Sequence, residues 1–504
     1  MKTVTLNRFD GGVATSPYMG GVDQFSIAKH FDIHTIPGRL IPLRGVEADT
    51  SGQALIGNLL IGTDGVVYGL GAYSANNSFP SVYKKTSPTS TWSEILVSVG
   101  SSVINYDAFV EYHTSSGARR LFYQCGNNVN IIDPADSVTL VQHALSATNV
   151  AKPYVHPKDD ILYWPYDNKI AANNNGSWTD SALTIPARYR ITSICGFGNY
   201  LAIGATLTNI SAAGSGLSSS VVYLWDRDAT VTTVTESIDW GVGVLQVLNN
   251  LDGVLISISD SGGASTTVQD MDSVQIKGYS GGAPFLIAEI PTIKQTTTDP
   301  DVSIETRVNF IYRGRMYFSV NIDGGGASPE YRGLWCISRS KVSGQYSVNL
   351  ERMATNDGSE TGVIAAAILG DFVFIVHTNP GTLTRTIDNN SISIGYVATS
   401  IYESLVNPGM DKGDYFKKKK LMSVTAHYIP LPSSGQVVLK YRVDGGSWTT
   451  IATETTDGAI VTERIKANNT EFTDGRQYEF RFESTGFAEI LGFTYKYAVT
   501  ETAI

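Results

Sequence analysis

Cysteine is nearly absent from this chain. Three residues in 504, Cys125, Cys195 and Cys336, lie far apart, are odd in number and include no C-x-x-C pair. That excludes a disulfide framework and reads as three buried thiols in a protein made in a reducing cytoplasm. No run of 18 or more apolar residues occurs, so no helix of this chain is expected to insert in a membrane. The opening MKTVTLNRFDGG has no apolar core segment of the kind a secretory leader needs. Charge is scarce too. Lys and Arg number 37 against 47 Asp and Glu, a net of −10, and charged residues make up 17% of the chain. A surface rich in Ser, Thr, Asn and Gly follows; a protein that wraps nucleic acid is normally basic, so this chain is expected to repel DNA and not to grip it.

Long helical periodicity is also missing, and what replaces it is a repeated phrase. An apolar stretch runs into a turn with Gly, Asp or Asn, then into a second stretch alternating with period two. It occurs at 59–71, 109–125, 153–167, 191–205, 244–259, 308–322 and 363–377, with turn groups such as TDG, KDD, GFGN, LDG, RGR and LGD. Each instance reads as an antiparallel hairpin. Looser segments ending in an aromatic follow most of them. The recurrence, roughly every 40 to 60 residues, is the spacing of four-stranded propeller blades. The expected fold is therefore all-β, with a β-propeller of about seven blades across 51–405. Six or eight blades fit the same pattern, and a stack of β-sandwiches is the alternative architecture.

The two ends differ from this middle. Residues 1–50 read as an extended N-terminal arm, with Gly-Gly pairs and no regular alternation, yet with bulky anchors at Phe9, Tyr18, Phe25, Phe31 and Ile33. A disordered tail would lack such anchors. Near 405 the stretch SLVNPGMDKGDYFKKKKL reads as a linker. Beyond it, 406–504 alternates as five or six strands of a small β-sandwich.

No catalytic constellation stands out, and no cofactor or metal is implied. YRVDGGSWTTI (441–451) approaches the Asp-box turn of sialidases, but Trp448 follows Asp444 by four positions where that motif wants five, so a tight hairpin is the better reading. His30 and His34 stand at i, i+4, a zinc-binding spacing on a helix. Pro37 and β-branched neighbours oppose a helix there. SDSGGASTTVQDMDS (259–273) is oxygen-rich but lacks calcium-loop spacing. The one basic cluster, Lys417, Lys418, Lys419 and Lys420, reads as a solvated strand entrance or an interface.

Taken in order, F-x-G-G-V at residue 9, H-F-D-I at 30–33 and G-R-L-I-P-L-R-G at 38–45 resemble the start of a class of bacteriophage virion proteins. The closing Y-R-V-D-G-G-S-W hairpin and LGFTYKY strand are also similar to phage tail material. The closest functional counterparts in that class are tail nozzle proteins of short-tailed phages, of the head-to-tail connector type. The resemblance implies a non-enzymatic homo-oligomeric ring, expected to hold six copies, assembled in the host bacterial cytoplasm and located in the virion tail. Its implied partners are the head-to-tail adaptor or portal-proximal proteins, tail fibre or needle proteins, and genomic DNA that passes without specific binding. The arm anchors and the four lysines would then form the assembly interface. Two alternatives remain: a receptor- or carbohydrate-binding propeller using Trp92, Trp178 and Trp225, and a propeller enzyme.

Overall fold

The computed structural model describes the chain apart from residues 15–19, 22, 50–53, 74–79, 98–103, 134, 137, 146, 148, 208–218, 229, 231–232, 261–272, 292–300, 324–331, 354–361, 378–382, 387–398, 458–471 and 501–504. Tyr18 and the oxygen-rich loop at 261–272 therefore lie outside the described residues. Among the described residues there is no α-helix, only a 3-10 turn at Lys412–Asp414. Two compact units form, each from separated stretches of sequence. The larger holds 47–332 and 360–386, the smaller 1–46, 333–359 and 387–504.

All seven hairpins expected from the sequence are present as antiparallel pairs. Their turns explain why. Asp252–Gly253 and Arg313–Gly314 each place two successive residues at positive φ (53° and 81°; 50° and 72°). That backbone matches the twist of the strands that a two-residue turn joins. In the first five cases the hairpin continues into a four-stranded antiparallel meander. The first is Ala54–Ile61, Val67–Tyr73, Pro80–Lys85 and Ser93–Val97, and the fifth runs from Val244–Leu251 to Phe285–Pro291. The sixth hairpin is Asp301–Tyr312 with Arg315–Asp323. The seventh, Val363–Leu369 with Phe372–His377, is extended by Leu383–Thr386, and its fourth strand is Val46–Ala48.

Successive sheets pack face to face through apolar layers. Tyr68, Leu70 and Val82 meet Phe109, Leu121 and Tyr123, and Tyr163 and Ile170 meet Leu201, Ile203 and Trp225. Closure comes where Ile56, Val67, Tyr83 and Trp92 of the first sheet meet Ala365, Phe374 and Val376 of the last. Meanders packed in a cycle make the larger unit a β-propeller.

A buried ionic clasp holds that closure. Asp49 follows the strand added to the last sheet, and its amide donates to the Leu383 carbonyl at 2.8 Å. Its carboxylate accepts from Lys85 Nζ at 2.6 Å and from Trp92 Nε1 at 3.0 Å, both in the first sheet. Arg385 Nε of the last sheet lies 3.5 Å from the same carboxylate, and Arg385 also pairs with Glu47 at 2.6 Å. Burial pulls the Lys85 ammonium below its ordinary range even with Asp49 beside it.

In the smaller unit the N-terminal stretch is not a free-standing arm. Lys2–Leu6 pairs along Ile490–Val499, which pairs in turn with Lys419–Tyr428. Gln24–Lys29 pairs with Ser400–Ser404 inside a six-stranded sheet that includes Tyr478–Thr485 and Gln436–Val443. Phe480, Phe482, Phe493 and Tyr495 stack at 4.9–6.2 Å between centroids. Phe9 and Phe25 contact Tyr402 edge-on at 5.1 and 5.8 Å. The Gly-Gly pair has a steric cause. Gly12 sits at φ 75°, and a Cβ there would come within 2.6 Å of the Val348 nitrogen. The supposed linker also contains strand and turn, and Ser400–Ser404 belongs to this unit's sheet.

Two outcomes follow from this packing. Asp49→Ala would leave Lys85 buried without its counter-charge, at a cost of about 3–5 kcal/mol, read as a lower denaturant midpoint. Removing residues 1–45 takes strands from both sheets of the smaller unit. Limited proteolysis should then cut within 400–457 and 472–499 in the truncated chain and spare those segments in the full one.

Candidate functional site at the propeller axis

The first strand of each hairpin lines the axis of the larger unit, and most of these strands break register there. The breaks fall between Ile56 and Asn58, Asn105 and Phe109, Ile191 and Ser193, Leu245 and Val247, Ile304 and Asn309, and Val363 and Ala365. Such bulges turn side chains out of the alternating pattern. The two longest face each other from the second and sixth sheets, which are not neighbours in the cycle. Thr306 Oγ1 donates to Asp107 Oδ1 at 2.5 Å, and the Arg307 guanidinium lies 5.8 Å from the Tyr106 ring. Arg307 also donates to the Gly57 carbonyl at 2.9 Å and pairs with Glu305 at 2.8 Å. Side chains thus cross the axis.

Two cavities flank this crossing. One, of about 400 Å³, is lined by Asn105, Tyr106, Asp107, Gln124, Asn127 and Arg307 among others. The other, of about 370 Å³, is lined by the polar residues Lys152, Tyr154, Asn249, Asn250 and Asn309 and by the apolar Ile194, Phe310 and Ile311. Asn309 organises the second cavity. It donates to the Leu248 carbonyl at 3.2 Å, accepts from Asn249 Nδ2 at 2.7 Å, and its own carbonyl accepts from Lys152 Nζ at 2.9 Å. Lys152 keeps some accessible surface while its ammonium is packed round by protein. Burial lowers it to about 8, against the opposing pull of Asp107. Chemically, this is a cationic donor that gives up its proton more readily than an ordinary lysine.

Sequence reasoning missed Lys152, Asn249 and Asn309. The signal was there as polar residues inside otherwise apolar strands, in VLQVLNNL and VNFIY, and a lysine before the third hairpin.

The residues singled out from sequence lie elsewhere. Phe9, Phe25, Phe31 and Ile33 are each at most 1% exposed within this chain. They are core residues of the smaller unit and have no surface to offer a neighbour, because their partners come from strands hundreds of positions away. Lys419 is likewise core, its ammonium donating to the carbonyls of Asp414, Tyr415 and Lys417 at 2.8–2.9 Å, with burial lowering it to about 8. Lys417 pairs with Asp414 at 3.4 Å, Lys418 is exposed and Lys420 half-buried. Phe416 beside them is 75% exposed. His30 is buried, and that burial drops its imidazole to about 3, so it stays neutral. His34 Nδ1 meets the Ser338 hydroxyl at 2.8 Å. Trp92 and Trp225 are buried, and Trp178 stacks on His143 at 4.5 Å, so none is an open sugar platform. Trp448 lies between Arg442 and Arg481, each 4.6 Å from its ring, beside the Asp444 turn of a hairpin. All three cysteines are buried and free.

No family model and no curated protein matches the sequence. Solved structures share the fold. A streptogramin B lyase is 12% identical, covering 57% of this chain and 82% of its own, with a TM-score of 0.35. The β-propeller domain of Cps50 (Swd1) from Myceliophteria thermophila is 11% identical, over 68% and 98%, with a TM-score of 0.40. An exo-β-1,3-galactanase from Phanerochaete chrysosporium is 12% identical, over 90% and 99%, with a TM-score of 0.29. These likenesses concern the fold alone. They nevertheless correct the expectation of a non-enzymatic chain. Two of the three are enzymes, so the architecture gives no ground for excluding catalysis.

Lys152 yields a pH signature. Its folded value lies below the unfolded one, so the unfolded chain binds the extra proton and stability rises with pH from about 8 to 10.5. Lys152→Met should melt higher than the parent at pH 7, and the gap should shrink across that window. Thermal denaturation of both proteins against pH checks it.

Proposed function

We propose that this chain is a structural protein of a short-tailed bacteriophage virion, one of a ring of copies that forms a nozzle in the tail and conducts the genome during ejection. The observation that carries the reading is the pairing of the two ends. The N-terminal phrases and the closing strands, at opposite ends of the sequence, are the stretches similar to phage virion proteins. They fold into a single unit, with Lys2–Leu6 along Ile490–Val499 and Gln24–Lys29 along Ser400–Ser404.

Two further features bear on how such a ring would work. Side chains cross the propeller axis, so the genome's path in this reading runs between copies and not through a single propeller. The net charge of −10 disfavours contact with phosphates, as a conduit requires. Phe416, exposed among lysines, is the contact residue this reading selects in place of the buried anchors. The partners in this reading are further copies of the chain, the head-to-tail adaptor, fibre or needle proteins, and passing DNA.

Electron microscopy and native mass spectrometry of the purified chain test it. Closed rings, of six copies in the simplest case, with a lumen wide enough for duplex DNA are expected. Phe416→Ser should reduce ring formation without lowering the melting temperature. A chain that stays monomeric at all concentrations, or one that binds free duplex DNA with sub-micromolar affinity, overturns the proposal.

A further inference from the structure

The second axial cavity has a chemical imbalance that neither the fold nor the proposed assembly explains. Its polar wall supplies hydrogen-bond donors in surplus. An ammonium has three N–H groups, and Lys152 uses one, on the Asn309 carbonyl at 2.9 Å. Among the described residues no carboxylate lies within ion-pair distance of it. Asp107 acts on it only from further off, and Asp107 already accepts from Thr306. Each side-chain amide nitrogen has two N–H groups, and those of Asn249 and Asn250 each use one, on Asn309 Oδ1 at 2.7 Å and on the Gly196 carbonyl at 3.0 Å. The amide oxygens are occupied, by the Asn250 and Gly253 amides at 2.8 and 3.1 Å. The Tyr154 hydroxyl, against Gly196, also lines the space. The lining also includes Ile194, Phe310 and Ile311, all apolar.

We propose that this cavity binds a small organic monocarboxylate, its carboxylate at Lys152, Asn249 and Asn250 and its hydrocarbon part against Ile194, Phe310 and Ile311. A carboxylate is an acceptor-only group, which is what a donor-rich wall lacks, and its charge neutralises an ammonium that otherwise stands in protein without a counter-ion. One cation calls for one negative charge. A dianion would bring a second charge for which the lining holds no second cation. The volume, about 370 Å³, lies in the ordinary range for small-molecule sites.

The test is calorimetric titration of the full chain with monocarboxylates from acetate to phenylacetate, with their primary amides as neutral isosteres and with inorganic phosphate. Phenylacetate should bind more tightly than acetate, and phenylacetamide at least tenfold more weakly than phenylacetate. Lys152→Met should lose at least tenfold for the carboxylate with no change for the amide, and Asn249→Ala, which keeps the ammonium, should lose less. Melting curves confirm that both variants are folded. Equal binding of acid and amide, full affinity in Lys152→Met, a preference for phosphate, or no binding by any carboxylate overturns the assignment. Ring formation plays no part in these readouts, so the assembly proposal and this one fail separately.

Discussion

The propeller depends on one carboxylate. A cycle of sheets has a seam where its last member must meet its first, and here the apolar layer across the seam is crossed by Asp49, Lys85, Trp92 and Arg385. A buried ion pair is weak as a source of net stability, because desolvation cancels most of its attraction. Its value lies in discrimination. A strand slipped by one residue would turn Asp49 away from Lys85 and strand two charges in an apolar layer, so the clasp penalises a wrong register more than it rewards the right one.

At the axis the same logic of polar satisfaction produces the opposite result. The bulges that let inner strands approach one another also deliver Asn, Asp, Thr and Arg side chains into a crowded space, and Lys152 joins them from the segment before the third hairpin. Most find acceptors: Thr306 on Asp107, Arg307 on Gly57, Asn309 on Leu248. Lys152 is left with one neutral carbonyl. A centre that is satisfied at one cavity and donor-rich at the other is chemically polarised, and the donor-rich cavity is the one that Ile194, Phe310 and Ile311 also line.

The strands and hairpins are legible in the sequence because their determinants are local. A two-residue turn at Asp252–Gly253 or Arg313–Gly314 and an alternation of period two need only neighbours to be recognised. The axial site is not legible, since a bulge breaks the very alternation by which a side chain's direction is read, and the approach of Asp107 to Thr306 joins residues 199 positions apart. The anchors at Phe9, Phe25 and Phe31 are legible as buried residues but not as to where they are buried. Their companions, Tyr402 and Asn349, sit far along the chain. Lys419 defeats the sequence in another way. A lysine run suggests solvent, yet three backbone carbonyls of the preceding turn enclose this one ammonium.

The pairing of Lys2–Leu6 with Ile490–Val499 has a consequence in time. Once Lys2–Leu6 has left the ribosome it cannot find its partner until synthesis reaches Ile490–Val499. At roughly 5–20 residues per second that is a wait of about half a minute to a minute and a half. Through that interval Phe9, Phe25 and Phe31 travel without the surfaces that bury them, and a nascent chain in that condition is a substrate for chaperones and for premature association with its siblings on the same message. The smaller unit therefore forms only after Ile490–Val499 has been made, and a ribosome stalled short of that strand leaves Lys2–Leu6 with nothing to pair with.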